Sequence, residues 1–237
     1  MLGLGSTLTK VGKIGLPVIT DNLVLRHKYI GGEAHEVSTG AAFFDGTDDY
    51  ITMGDACDLG TTDFSICFWA YVPEGSSQYF LSKVSGSDFW YIRTQGSDKI
   101  QFNSEMSSTV MDTTFSGDAV PQNEWFHVAV TCDRSDGSSG MKIYVNGIVG
   151  TADVGSTTNL NNNGNLYFGR ESSTYLGGYM CNVGMWNGTA LTQAQIKSIM
   201  WKNYSGLTST EKTNLTSWWN LNENANDNHG SNNGTLS

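Results

Sequence analysis

The sequence is short of positive charge. Its 13 lysines and arginines face 23 aspartates and glutamates, a formal net charge of −10. A nucleic-acid partner needs a basic stripe to replace counterions, so that class of function is excluded. Long apolar runs are missing too, which excludes a transmembrane helix and with it a membrane partner. Met1 to Lys10 holds no continuous apolar stretch of signal-peptide length, so synthesis in a cytosol without export is expected. No two of Cys57, Cys67, Cys132 and Cys181 fall in a Cys-x-x-Cys spacing, which argues against zinc. Buried free thiols are then expected, with a disulfide as the alternative. His35-Glu36 lacks the second histidine of a zinc-protease motif, and no serine sits in a nucleophile-elbow context.

What is present is polar and β-like. Gly, Ser, Thr, Asn and Asp are abundant, and 237 residues suit one large all-β domain. In Trp125 to Cys132, Val128 and Val130 alternate with His127, Ala129 and Thr131, a period of two that marks a strand. Asp136 to Gly140 supplies turn residues. Ile143 to Val145 is a second strand, and Asn146-Gly147 favours a type I′ turn into Ile148-Val149. His127 is therefore read as a structural strand residue. Phe64, Ile66, Phe68, Ala70 and Val72 share one face of a further strand, ended by Pro73. By the same parity Trp90, Ile92, Ile100 and Phe102 face the core, while Tyr91, Arg93, Gln101 and Asn103 face outward.

Three segments are expected. Residues 1–20 are too Gly-rich for a helix and too apolar for a linker. Leu2, Leu4, Leu8, Val11, Ile14 and Leu16 make them an anchoring arm, or else a strand packed on its own sandwich. Residues 21–206 form the main domain, opening at Asp21 to Leu25, with a turn at Gly31-Gly32. Residues 207–237 hold a short helix and a terminal strand. Thr192 to Gln195 is a capping box opening one helix, and Thr208 to Glu211 is a second box opening another.

Asp45, Asp48, Asp49, Asp55, Asp58 and Asp63 crowd a stretch with no Lys or Arg between Tyr29 and Lys83. This is a solvated rim or a cation site. A sugar site needs an aromatic platform ringed by amide, carboxylate or Arg groups. Tyr79, Tyr91, Arg93, Gln101, Asn103 and Tyr175 can supply these, unless they are scattered surface residues.

Several motifs resemble one family. Trp125-x-His127-Val-Ala-Val-Thr131 followed by Ile143-Tyr-Val-Asn-Gly147 resembles the laminin-G-like branch of the concanavalin A-like lectin/glucanase superfamily. Phe44-Asp-Gly-Thr-Asp-Asp-Tyr50, Phe64-Ser-Ile-Cys-Phe-Trp69 and Gly178 to Val183 follow in the family's order, so the resemblance covers roughly residues 22 to 205. It implies a jelly-roll sandwich of two antiparallel sheets. It also implies a structural Ca²⁺, for which Asp45, Asp48, Asp49 and Asp227 are the donors at hand. Cys181 stands where the family's last strand carries an aspartate, which puts that ion in doubt. The family's glucanases use Glu-x-Asp-x-x-Glu on one strand; no Glu-x-Asp occurs here, so a glycoside hydrolase is disfavoured and no enzyme is expected.

Trp218-Trp219-Asn220-Leu221 resembles the family's opening strand, displaced to the end of the chain. It closes its own sandwich, begins a truncated second module, or exchanges into a neighbour; closure is favoured because two exposed tryptophans are costly. The whole chain, with its Gly-rich start and this ending, is similar to laminin-G-like proteins of tailed, often marine, bacteriophages. That resemblance implies a virion surface protein, a capsid decoration or fibre component. Its arm would bind other virion proteins, its sandwich would engage host surface glycans, and it would be a homo-oligomer. A free carbohydrate-binding module is the alternative.

Overall fold

The structure, a computed structural model, is described for residues 37–73 and 77–237. The expected arm (Leu2, Leu4, Leu8, Val11, Ile14 and Leu16), the strand at Asp21 to Leu25 and the Gly31-Gly32 turn lie outside those residues. In chain order the strands are β1 (Ala42–Asp45), β2 (Ile51–Thr52), β3 (Phe64–Tyr71), β4 (Tyr79–Ser85), β5 (Asp88–Gln95), β6 (Lys99–Met106), β7 (Thr109–Thr114) and β8 (Trp125–Cys132). They continue with β9 (Met141–Val145), β10 (Ile148–Val149), β11 (Leu166–Phe168), β12 (Arg170–Glu171), β13 (Thr174–Tyr175), β14 (Gly177–Asn187), β15 (Leu215–Trp219) and β16 (Thr235–Leu236). One α-helix, α1 (Gln193–Ile199), and a short 3-10 turn (Tyr204–Gly206) lie between β14 and β15.

Two seven-stranded antiparallel sheets face each other. The first runs β1-β14-β3-β8-β9-β10, with β15 also on β14; the second runs β16-β2-β11-β4-β5-β6-β7. This is the expected sandwich. Strand alternation builds it: Phe64, Ile66, Phe68, Ala70 and Val72 of β3 and its continuation meet Trp90, Ile92, Ile100 and Phe102 in one apolar core. Asn146 and Gly147 both adopt positive φ (51° and 72°), as a type I′ turn between β9 and β10 demands. All four cysteines are buried and free.

Part of the outer side of the first sheet is covered by the chain's later part. Cys67, Ala129, Tyr144, Trp186 and Trp218 pack with Ile196 and Ile199 of α1 and with Leu207. The Thr192 box forms as expected and opens α1. At the second box, Thr208 and Glu211 also exchange their capping hydrogen bonds, but no second helix follows. One Lys212 N–H to Thr208 C=O bond closes a single turn, and Asn214 then swings to φ 60° to enter β15. Three residues separate the box from a strand that must already be pairing, so the helix has no length in which to propagate.

β15 pairs with β14 of its own chain, and β16 pairs with β2. The displaced ending is thus a strand of each sheet. Trp218 and Trp219 are both buried. None of the helices among the described residues is long and apolar enough to cross a membrane.

The acidic stretch divides among separate tasks. Lys83, the first cation after it, is fully buried on the inward side of β4. Its ammonium lies 2.6 Å from Asp55, 2.9 Å from Asp58 and 2.9 Å from the Ala56 carbonyl. A buried ammonium without anions is strongly unfavourable. Replacing both Asp55 and Asp58 with asparagine is expected to cost about 2–3 kcal/mol. That is below the roughly 3–5 kcal/mol of a fully buried pair, because both carboxylates are half exposed. Lys83→Met in the same background should recover most of that loss, as read from urea denaturation midpoints.

Candidate functional site

The outward side of the second sheet carries a group of aromatic and polar side chains built by strand register. Arg93 of β5 lies opposite Tyr79 of β4 and Gln101 of β6; Tyr91 lies opposite Asn103, which lies opposite Asp112 of β7. A register shift between Tyr79 and Leu81 turns both Phe80 and Leu81 into the core, leaving Tyr79 beside Arg93. Arg93 Nε donates to Gln101 Oε1 at 2.8 Å, and Nη1 donates to the Tyr79 hydroxyl at 2.8 Å. Its guanidinium carbon stands 5.4 Å from the Tyr79 ring centre and 5.0 Å from that of Tyr91. Phe89 stacks parallel to Tyr91 with centroids 5.2 Å apart and planes 4° apart. Gln101 Nε2 donates to Asp112 Oδ1 at 2.7 Å. Burial pushes the Tyr91 phenol up, so it stays a neutral donor.

Four of the six expected sugar residues therefore touch, and Asn103 joins them through its place opposite Tyr91. Two of the four serve differently from the expectation. Tyr79 and Gln101 are buried and act as supports that hold Arg93, each accepting one of its N–H groups. Tyr91, Arg93, Asn103 and Phe89 stay half-buried and reach the surface. Asn103 Oδ1 has no hydrogen-bond partner among the described residues.

Tyr175 lies elsewhere, in a second group that the sequence reading did not assemble. The Arg170 guanidinium stands 4.6 Å from the Tyr50 ring centre, 5.2 Å from Tyr167 and 5.6 Å from Tyr175. Tyr175 reaches this place through the β12–β13 hairpin, which sets it directly opposite Arg170. Tyr167, Ser82 and Tyr91 are consecutive partners across β11, β4 and β5. Ser82 between them is buried and donates to the Arg170 carbonyl, which ties the separate β12–β13 hairpin to this side of the sheet. Alternation of Leu166 and Phe168 about Tyr167 was a readable sign that Tyr167 points outward. Nothing local marked Tyr50 or Arg170, which come together only when β2 pairs with β11 and the separate β12–β13 hairpin follows β11.

The other outer face carries a row of aromatics: Phe43, Tyr179, Tyr71 and Trp125 are partners across β1, β14, β3 and β8. Successive rings are inclined by 46°, 79° and 54°, so they form no common flat platform. No guanidinium lies over them among the described residues.

Asp45, Asp48 and Asp49 bring carboxylate oxygens within 4.8 Å of one another. Asp45 Oδ1 accepts from the Thr47 N–H at 2.7 Å and from the Asp48 N–H at 3.3 Å, while Asp49 Oδ2 accepts from the Asp45 N–H at 3.0 Å. The Thr47 amide is the main reason the Asp45 carboxyl sits below its ordinary range. An all-oxygen group of this kind can hold a divalent cation such as Ca²⁺. Asp227 does not belong to it. Its Oδ1 accepts the backbone N–H groups of Trp218, His229 and Gly230, and its Oδ2 that of Asn232. Burial pushes this carboxyl up, but those amides outweigh it and the group lies below its usual range. Asp227 is the clasp of the loop between β15 and β16.

His127 is buried against Trp69, edge-on at 5.4 Å. Burial pushes its imidazole down to about 3, so it is neutral, and Nδ1 has no partner among the described residues.

Fold and site together define an antiparallel β-sandwich with a lectin-like layout. The chain belongs to the concanavalin A-like lectin/glucanases superfamily, whose sequence profile matches residues 45–197. Among solved structures it is similar to a heptameric SAP-like pentraxin from Limulus polyphemus. That match has 17% identity and a TM-score of 0.51, covering 67% of this chain and 80% of that one. Domains LG4-5 of the mouse laminin α1 chain match at 14% identity and TM-score 0.51, covering 64% of this chain and 44% of theirs. Domain 4 of an extracellular arabinanase from Geobacillus stearothermophilus, in complex with arabinotriose, matches at 17% identity and TM-score 0.50, covering 70% of this chain and 86% of that one. At these identities the likeness is one of fold. No curated protein matches the sequence.

Proposed function

We propose that this domain is a glycan-binding module and that the outer face of the second sheet is its binding surface. One observation carries the reading: two tyrosine–arginine groups lie on that side, one built by β4, β5 and β6 and one where the β12–β13 hairpin meets Tyr50 and Tyr167. Sugar rings have apolar C–H faces and hydroxyl rims, so they suit aromatic walls with a few fixed donors. Arg93, Asn103 and the Tyr91 phenol supply donors beside the Phe89–Tyr91 pair. The solved relative holding arabinotriose supports the reading by analogy of fold. We read the module as binding and not cleaving, since the family's Glu-x-Asp pattern is missing from the chain.

Tyr91→Ala should weaken glycan binding at least tenfold in isothermal titration. The half-exposed ring leaves the core untouched, so thermal unfolding should change little. A glycan array that returns no ligand for the intact protein would end the proposal.

A second reading places the module on a phage particle as a decoration or fibre component. Its support is the resemblance of the Gly-rich start and the Trp218 to Leu221 ending to phage proteins. Mass spectrometry of purified particles tests it: the chain should be present, and deleting residues 1–20 should remove it from the particle.

A further inference from the structure

We propose that the sugar taken on this face is acidic and that Arg170 receives its carboxylate. The inference rests on the glycan-binding reading and names the class of ligand. It begins with how much of each guanidinium the protein itself uses. Three arginines lie among the described residues. Arg134 is buried with every nitrogen engaged: Nε on the Thr62 carbonyl, Nη1 on those of Ser156 and Thr158, and Nη2 on that of Gly60. Arg93 gives Nε to Gln101 and Nη1 to Tyr79. Arg170 gives only Nε, to the Ser172 carbonyl at 2.8 Å.

The terminal nitrogens of Arg170 thus have no protein acceptor among the described residues. Ion pairs there join only Lys83 and Lys202 to acids, and Glu171, the adjoining residue, makes none with Arg170. The three tyrosine rings hold the cation by their π faces, but a ring face offers no lone pair along the N–H directions of the fork. The guanidinium is therefore positioned and its two outer N–H groups remain unspent. A planar fork of two parallel donors matches the two oxygens of a carboxylate, which is the geometry that distinguishes arginine from lysine.

Tyr50, Tyr167 and Tyr175 supply walls for the sugar ring that bears the acid. Asp49 and Glu171 flank Tyr50 and Arg170 in sequence, so the immediate field is mixed in sign. The remaining negative charge of the protein acts from farther away and is screened over about 8 Å at physiological salt. The local fork, and not the net charge, decides the sign of the ligand.

The test uses the intact protein on a glycan array carrying neutral, uronate-bearing, sialylated and sulfated chains, beside Arg170→Gln and Arg170→Lys. Uronate or sialylated chains should bind best. Methyl esterification of their carboxylate should weaken binding at least tenfold, and Arg170→Gln should weaken it by a similar factor. Arg170→Lys keeps a cation over the tyrosines but loses the fork, so it should restore only part of the affinity. Should Arg170→Gln unfold, the lysine variant and the methyl esters carry the comparison. If neutral chains bind as tightly as acidic ones and Arg170→Gln alters neither, the acid preference falls and the glycan reading stands. Binding confined to sulfated chains overturns the carboxylate assignment. Binding to no chain removes both proposals together.

Discussion

Trp219→Ala is expected to destabilise the domain by about 3–5 kcal/mol, the cost of deleting a large aromatic from a closed core. Trp219 is wholly buried, meets Phe168 edge-on at 5.1 Å, and donates its indole N–H to the Asn232 carbonyl at 2.8 Å. It lies between the two sheets, while Trp218, one residue earlier on the same strand, points to the other side and packs on Trp186 at 6.0 Å. One strand thereby anchors the inner core and the outer layer beneath α1. A typical domain holds only about 5–15 kcal/mol in total, so this one substitution should remove a large share of it. Urea titration gives the measurement. Because β15 pairs within its own chain, the midpoint of the intact protein should not depend on concentration. Exchange of the strand between copies would instead make the midpoint rise with concentration and keep the copies together as a dimer on a sizing column.

Acid should weaken the fold through His127. Its imidazole is held down to about 3 by burial, against about 6.5 in an unfolded chain. The unfolded state therefore binds a proton that the folded state refuses. Stability is fully present above about pH 6.5 and is lost as pH falls toward 3, at about 1.4 kcal/mol per pH unit and on the order of 5 kcal/mol over the whole window. Aspartates with lowered values, Asp45, Asp133, Asp136 and Asp227, add their own loss only below about pH 4, where unfolded carboxylates titrate. Burial pushes the Glu211 carboxyl up, but Lys202 and the Thr208 amide outweigh it and hold it below its usual range, so it adds a loss as pH nears the ordinary glutamate value. The interval from about pH 6.5 to about 5.5 thus isolates the histidine. His127→Leu should flatten the stability profile there and leave stability at pH 7 unchanged or slightly higher, since the orphan Nδ1 disappears. An unchanged slope in that interval would show that the imidazole is not the proton-linked group.

Much of the sandwich was legible along the chain. Period-two alternation assigned the core faces of β3, β5 and β6, and Asn146-Gly147 announced its hairpin. These are local signals, since a strand's side-chain direction follows from backbone geometry alone. The second capping box misled for the complementary reason: Thr208 and Glu211 make their local bonds, but whether a helix continues depends on what the chain must reach next. The candidate site was legible in half. Tyr91, Arg93, Gln101 and Asn103 share two adjacent strands of one hairpin, so parity was enough to bring them to one face. Depth was not readable, and Tyr79 and Gln101 turned out to be supports.

Tyr175 and Asp227 show where local inference ends. Both are of a type suited to the groups they were assigned to, but residue type does not say which neighbour a loop delivers. Asp227 uses its carboxylate on three backbone amides of its own loop and on that of Trp218 in β15. The sequence by itself determined the strand faces, because alternation and turn chemistry act over a few residues, while the family and its sandwich were carried by the resemblance of several motifs. Only the tertiary structure decided that Arg170 stands among Tyr50, Tyr167 and Tyr175 with an unspent fork. The β12–β13 hairpin sets Tyr175 opposite Arg170, and the long-range pairing of β2 with β11 brings Tyr50, so three rings stand within 6 Å of one cation.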